Sequence, residues 1–197
     1  MSLGLYLHIP YCFSKCRYCD FYSHPGERGV PDAYVDALLR ELHRLAPDAP
    51  LRPDTLYFGG GTPSLLTPAQ AERLIRAAEP VPGAEITLEA NPETVTEESL
   101  RGFRAAGVNR ISFGVQSARD TQLRTLGRPH SAKQARAAFA AALCTAGVLG
   151  VPLRALGRRI GAVLRRFAVQ PVRRRRAAAK TARKLRRNAE RDRKSVV

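Results

Sequence analysis

The chain has 197 residues, 33 of them Lys or Arg against 17 Asp or Glu, a net charge of +16. That length sets an expectation of a single domain, and the absence of a run of about 18 apolar residues indicates no membrane span. The charge is unevenly placed, with 16 basic against 15 acidic side chains in residues 1–143 and 17 against 2 in residues 144–197, so a pull on polyanions belongs to the second part alone.

In chain order, Leu5 to Ile9 is a short apolar strand that runs into a loop carrying Cys12, Cys16 and Cys19, spaced Cys-x3-Cys-x2-Cys. Three thiolates this close can wrap a small metal cluster but leave a four-ligand shell incomplete, because the only other cysteine, Cys144, lies far along the chain. Iron-sulfur clusters are usually held by four cysteines, so three leave one iron open to a small molecule. A structural zinc site wants four protein ligands closed around it. His8 and His24 flank the loop and could supply the fourth, although no second ligand pair with finger spacing occurs. An odd cysteine cluster without a signal peptide points to a reducing cytoplasm rather than a disulfide.

Asp32 is predicted to cap a helix whose Val35, Leu38, Leu39 and Leu42 share one face. Thr55 to Phe58 is the second strand and opens into Gly59-Gly60-Gly61-Thr62-Pro63. Thr67-Pro68-Ala69-Gln70 starts the next helix with a capping box and a proline at the first helical position. Glu85 to Glu89 is the third strand. Thr96 begins a helix holding Leu100 and Phe103, ended by Gly107, where a left-handed cap forms easily. Arg110 to Val115 is the fourth strand, and Ser131 to Gln134 is a capping box ahead of an alanine-rich helix with Phe139.

Four strand-helix units in series predict an α/β fold with a parallel sheet, since parallel neighbours need crossover connections. In barrels of this kind the functional groups gather at the C-terminal ends of the strands. The cysteine loop, the glycine run, Glu89 and Gln116 each fall at such an end.

The run Tyr6-Leu7-His8-Ile9-Pro10-Tyr11-Cys12 through Cys19-Asp20-Phe21 resembles the cluster loop of the radical S-adenosylmethionine (SAM) proteins, in particular the group of oxygen-independent coproporphyrinogen III oxidases and HemW-type heme chaperones. Asp20 stands near the place where the oxidases usually carry a further cysteine, which brings the loop closer to the chaperone branch. The resemblance implies a partial radical-SAM (β/α) barrel, a [4Fe-4S] cluster on Cys12, Cys16 and Cys19, and a SAM site. Gly60, Gly61 and Thr62 match the family's glycine motif against the SAM amino group, and Glu89-Ala90-Asn91-Pro92 and Ser112 to Ser117 match blocks around the ribose that include Glu89 and Gln116. Arg128, in Leu126-Gly127-Arg128-Pro129-His130, matches an arginine that pairs with the SAM carboxylate, as a guanidinium fork suits a carboxylate. Tyr6 and Tyr18 match positions beside the cluster and the adenine. For the oxidases the resemblance implies radical decarboxylation of porphyrin propionates; for the chaperones it implies binding of heme and its transfer to a recipient protein.

The resemblance stops near residue 143. Beyond it the family continues with an acid-bearing strand, whereas this chain offers Val148-Leu149-Gly150-Val151-Pro152-Leu153, so the reading is of a barrel truncated after its first four units. Residues 144–197 read as a frame-shifted or disordered basic segment, and the last six resemble a translated sequencing adapter. A rival reading is a basic nucleic-acid-binding module beside a structural metal knot. Arg173 to Arg176 and Lys184 to Lys194 attract phosphates. Phe167 is the segment's only aromatic side chain and offers no stacking platform, so contact with nucleic acid is expected to be non-specific.

Overall fold

The computed structural model describes residues 2–145. Most of the basic segment therefore lies outside the described residues, as does the acid-free stretch Val148 to Leu153.

Four strands form one parallel sheet in the order in which they occur in the chain: β1 (Gly4–Ile9), β4 (Thr55–Gly60), β5 (Glu85–Ala90) and β6 (Arg110–Phe113). Tyr6 stands opposite Tyr57, Tyr57 opposite Thr87, and Thr87 opposite Arg110. Because side chains alternate between faces, one face of the sheet collects Leu7, Ile9, Leu56, Phe58, Ile86 and Leu88, all in the buried core. The other face takes Tyr6, Tyr57, Glu89 and Ser112. Two short strands, β2 (Tyr11–Cys12) and β3 (His24–Pro25), pair in parallel and draw the two ends of the cysteine loop together.

The helices cover the apolar face. Helix α1 (Asp32–Leu45) buries Val35 and Leu42. Its N-cap is Pro31 rather than Asp32, and Asp32 is the first helical residue. The extended Pro31 already sets the entry angle, and the Asp32 carboxylate accepts from Gln70 Nε2 at 2.8 Å, a place where an acid also complements the helix dipole. Helix α2 (Pro68–Ala78) begins with the expected capping box, Gln70 N donating to Thr67 Oγ1 at 3.1 Å and Thr67 N to Gln70 Oε1 at 2.9 Å. Helix α3 (Glu97–Ala105) is capped by Thr96 with Ser99 and buries Leu100 and Phe103. Gly107 follows with φ of 111°.

The end of the fourth strand also departs from the sequence expectation. Strand β6 ends at Phe113, so Gln116 lies in the following loop, at φ of 61°. Gly114 N still reaches Ala90 O at 2.9 Å, but the chain then turns away through a Ser117 N to Val115 O bond. A seven-residue helix, α4 (Asp120–Leu126), lies in a stretch to which the sequence pattern assigned no element. It buries only Leu123 and ends on Gly127 at φ of 72°, too little apolar repetition to show as a period. Helix α5 (Ala132–Thr145) starts on the Ser131–Gln134 capping box and continues through Cys144.

Candidate functional site

At the C-terminal ends of the strands, a cavity of about 250 Å³ is lined by Cys12, Cys16, Cys19, Tyr18, Gly60, Gly61, Thr62, Glu89, Gln116 and Arg128, together with Asn91, Lys15, Ser112 and Gly114 among others. All the predicted site residues except Tyr6 line it.

The cysteine loop leaves β1 and returns through β3. Glu27 N donates to Cys12 O at 3.1 Å, His24 N to Pro10 O at 2.6 Å, and Cys19 N to Cys16 O at 3.1 Å. Lys15 Nζ, inside the loop, bonds Phe21 O at 2.6 Å and Ser23 Oγ at 3.0 Å. The far side is fixed to the fourth unit by Arg17 N donating to Leu126 O at 3.2 Å. Cys12, Cys16, Cys19 and Cys144 are all free thiols. Cys12 is buried, and Cys144 is exposed on α5 and does not line the cavity. His8 does not line it either: its Nε2 faces Tyr22 O at 3.1 Å.

The glycine run lies directly against this loop. A Cβ on Gly61 would stand 2.6 Å from Tyr11 O and 2.9 Å from Cys12 Sγ, and Gly60 has φ of 113° with its Cβ position 2.7 Å from the His8 ring. Backbone bonds from Gly61 N to Ile9 O and from Thr62 N to Tyr11 O, both 2.8 Å, join the two segments. Glycine is required here by the approach of one loop to another.

Glu89 is held by Tyr57, whose hydroxyl donates to Oε1 at 2.8 Å. Burial first, then the Glu89 carboxylate, hold the Tyr57 phenol above its ordinary value. Tyr6 stacks on Tyr57 with ring centroids 5.9 Å apart and planes 16° off parallel, so it stands one ring away from the cavity wall. The Tyr18 phenol is likewise raised, by burial above all, with Cys16 adding to the shift and Arg128 opposing it.

Arg128 is 9% exposed. Its Nη1 donates to Cys16 Sγ at 3.2 Å, and its Nη2 to Gly114 O at 2.6 Å and to Asn91 Oδ1. Its Nε is the one buried side-chain nitrogen or oxygen among the described residues without a partner. A buried guanidinium beside neutral acceptors is incompletely satisfied, and an anion in the cavity would complete it. Among the described residues no three Cys, His, Asp or Glu side chains close on a single metal ion, but three thiols on one cavity with a cation short of an acceptor are the donor types that an iron-sulfur cluster with SAM takes. Sequence reasoning passed over Asn91 as a site residue, although its place between Glu89 and Pro92 at the end of β5 was a usable signal.

The fold and this wall of cysteines define a radical SAM protein: the sequence profile of the Radical SAM superfamily matches residues 6–151, and the chain belongs to that superfamily. Within it the chain is similar to HemW-type chaperones and to a coproporphyrinogen oxidase. It is 48% identical over 142 residues to the heme chaperone HemW of Escherichia coli (strain K12), covering 69% of this chain and 38% of that protein. It is 44% identical over 140 residues to the mitochondrial radical S-adenosyl methionine domain-containing protein 1 of Bos taurus, covering 67% of this chain and 31% of that protein. Among solved structures it resembles coproporphyrinogen III oxidase (HemN) of Escherichia coli, a radical SAM enzyme, with a TM-score of 0.64 at 32% identity, over 76% of this chain and 35% of that one. The chain thus spans 38% of the HemW relative and 31% of the bovine one. The parallel β/α units match the expected partial barrel.

Proposed function

We propose that this chain is the cluster- and SAM-binding part of a cytoplasmic HemW-like heme chaperone. Cys12, Cys16 and Cys19 hold a [4Fe-4S] cluster, and SAM is held by Tyr18, Gly60, Gly61, Thr62, Glu89, Gln116 and Arg128, with Tyr6 supporting Glu89 through Tyr57. The observation that carries the reading is the single cavity on which the three thiols and these side chains converge. Identity to HemW proteins favours the chaperone over the oxidase, and so does the absence of a further cysteine in the residues just after Cys19, where Asp20 stands.

When bound, a cluster with SAM supplies one-electron chemistry at the sulfonium. The chain's own side chains do the positioning. Arg128 offers the cavity a fixed positive charge, Glu89 is aimed by Tyr57 to accept from hydroxyls, and Gly60 and Gly61 keep the backbone close to the cysteine loop. Heme and the recipient protein are assigned to the longer protein of which this chain covers a part.

The test is anaerobic reconstitution of the 197-residue chain. It should take up about four irons and bind SAM, and Cys12→Ala, Cys16→Ala and Cys19→Ala should each abolish the chromophore. A chain extended by the remaining length of its HemW relatives should in addition retain heme. Stable tetrahedral zinc without iron uptake would overturn the cluster assignment. Decarboxylation of a porphyrin propionate by the extended chain, without heme retention, would establish the oxidase instead.

A further inference from the structure

Two of the three candidate cluster cysteines receive a hydrogen bond from a side chain outside their own loop. Thr62 Oγ1 donates to Cys12 Sγ at 3.5 Å, and Arg128 Nη1 donates to Cys16 Sγ at 3.2 Å. Both donors are held by one side chain. Asn91 Nδ2 donates to Thr62 Oγ1 at 3.2 Å, while Asn91 Oδ1 accepts from Arg128 Nη2. The chemistry fixes the direction of every bond. A guanidinium only donates, so the Asn91 atom facing it is the oxygen and the amide nitrogen is left for Thr62. Once Thr62 Oγ1 accepts from that nitrogen, its single hydroxyl proton is free to point at Cys12.

We infer that Asn91 is a positioning residue that sets the reduction potential of the cluster by aiming both sulfur donors. The inference rests on the cluster assignment proposed above. Hydrogen bonds to ligand sulfurs stabilise the more negative, reduced cluster and raise its potential. An amide is the group suited to the task, being at once a donor to one neighbour and an acceptor from the other. A carboxylate of the same shape would accept from both. It would draw the Thr62 hydroxyl off Cys12, hold the Arg128 guanidinium in an ion pair away from Cys16, and add a negative charge beside the cluster.

The test compares the 197-residue chain with its Asn91→Asp and Thr62→Val variants after anaerobic reconstitution with iron and sulfide. Iron is counted, and the midpoint potential is read by dithionite titration followed by electron paramagnetic resonance. Asn91→Asp should keep its iron while its reduced-to-oxidised ratio at a fixed poise falls at least about tenfold, equivalent to about 59 mV for a one-electron couple. Thr62→Val, which loses the donor to Cys12 alone, should shift the potential in the same direction by less. Equal potentials in Asn91→Asp and the unaltered chain would overturn the inference and leave the cluster reading standing. If Asn91→Asp fails to hold iron, an unshifted potential in Thr62→Val overturns it. Failure of the unaltered chain to form the chromophore overturns the cluster reading and this inference together.

Discussion

Gly61→Ala is the sharpest test of how the cysteine loop is held. The added methyl would lie 2.6 Å from Tyr11 O, 2.9 Å from Cys12 Sγ and 3.0 Å from Ile9 O, where ordinary contact begins at 3.4 Å. Two of these three atoms are backbone oxygens and cannot swing aside as a flexible side chain would. The Tyr11 carbonyl would have to retreat by about 0.8 Å, lengthening the Gly61 N to Ile9 O and Thr62 N to Tyr11 O bonds that join the segments. Overpacking of this kind costs about 1–3 kcal/mol, and two weakened backbone bonds add about 1 kcal/mol each. The total, about 3–5 kcal/mol, corresponds to at least about a hundredfold loss of the cluster-competent loop. The assay is iron per chain and cluster absorbance after anaerobic reconstitution. Gly29→Ala is the control, since a Cβ there meets nothing within 4 Å and its φ is not left-handed; it should stay within about 0.5 kcal/mol of the unaltered chain. A Gly61→Ala chain with the iron content and spectrum of the unaltered one would refute the reasoning.

Further outcomes can be checked with the same preparations. Cys144→Ser should leave iron content unchanged, because Cys144 is exposed on α5 and is not part of the cavity lining; elemental analysis decides. Tyr57→Phe removes the hydroxyl that holds Glu89 and should weaken SAM binding by more than about tenfold, as loss of a hydrogen bond to a charged group entails, as read by equilibrium dialysis. The raised Tyr57 phenol is protonated in the folded chain at a pH where the unfolded chain has lost the proton. Its stabilising contribution is therefore complete below the ordinary value of 10.0 and is lost as pH rises through the folded value, so urea midpoints above about pH 10 should fall less steeply in Tyr57→Phe. Thr67→Ala breaks the capping box of α2 and should cost about 1 kcal/mol in the same urea assay.

The parallel order of the units was legible because the first three strands of the sheet run into loop signals and three of the helices open on a side-chain cap. Thr67 with Gln70, Thr96 and Ser131 all cap as their types dictate. The end of β6 was not legible. Arg110 to Val115 alternates well, and the turn that carries Gln116 away depends on a non-glycine residue at positive φ, which no local propensity favours. Helix α4 was hidden because a helix that buries one side chain leaves no repeat to detect. The cysteine spacing marked the site itself, and the strand-end rule placed Glu89 and the glycine run around it. The partners of Arg128 were out of reach of a linear reading, since Cys16, Asn91 and Gly114 stand 112, 37 and 14 residues from it and only the closed arrangement of four loops brings them together.

The agreement of strand order with chain order has a consequence for synthesis of the protein on the ribosome. Within the four-stranded sheet each strand pairs with the strand of that sheet made before it, Gly4 with Thr55, Thr55 with Glu85 and Thr87 with Arg110, so the sheet can be laid down unit by unit as the chain emerges. The cysteine loop is translated first and completed last. Its backbone contact with Leu126 and its bond from Arg128 form only after the fourth unit has left the exit tunnel. Until then Cys16 and Cys19 belong to a nascent chain whose far wall has not been made. The wall that closes on the three thiols is therefore complete only once the sheet has been assembled.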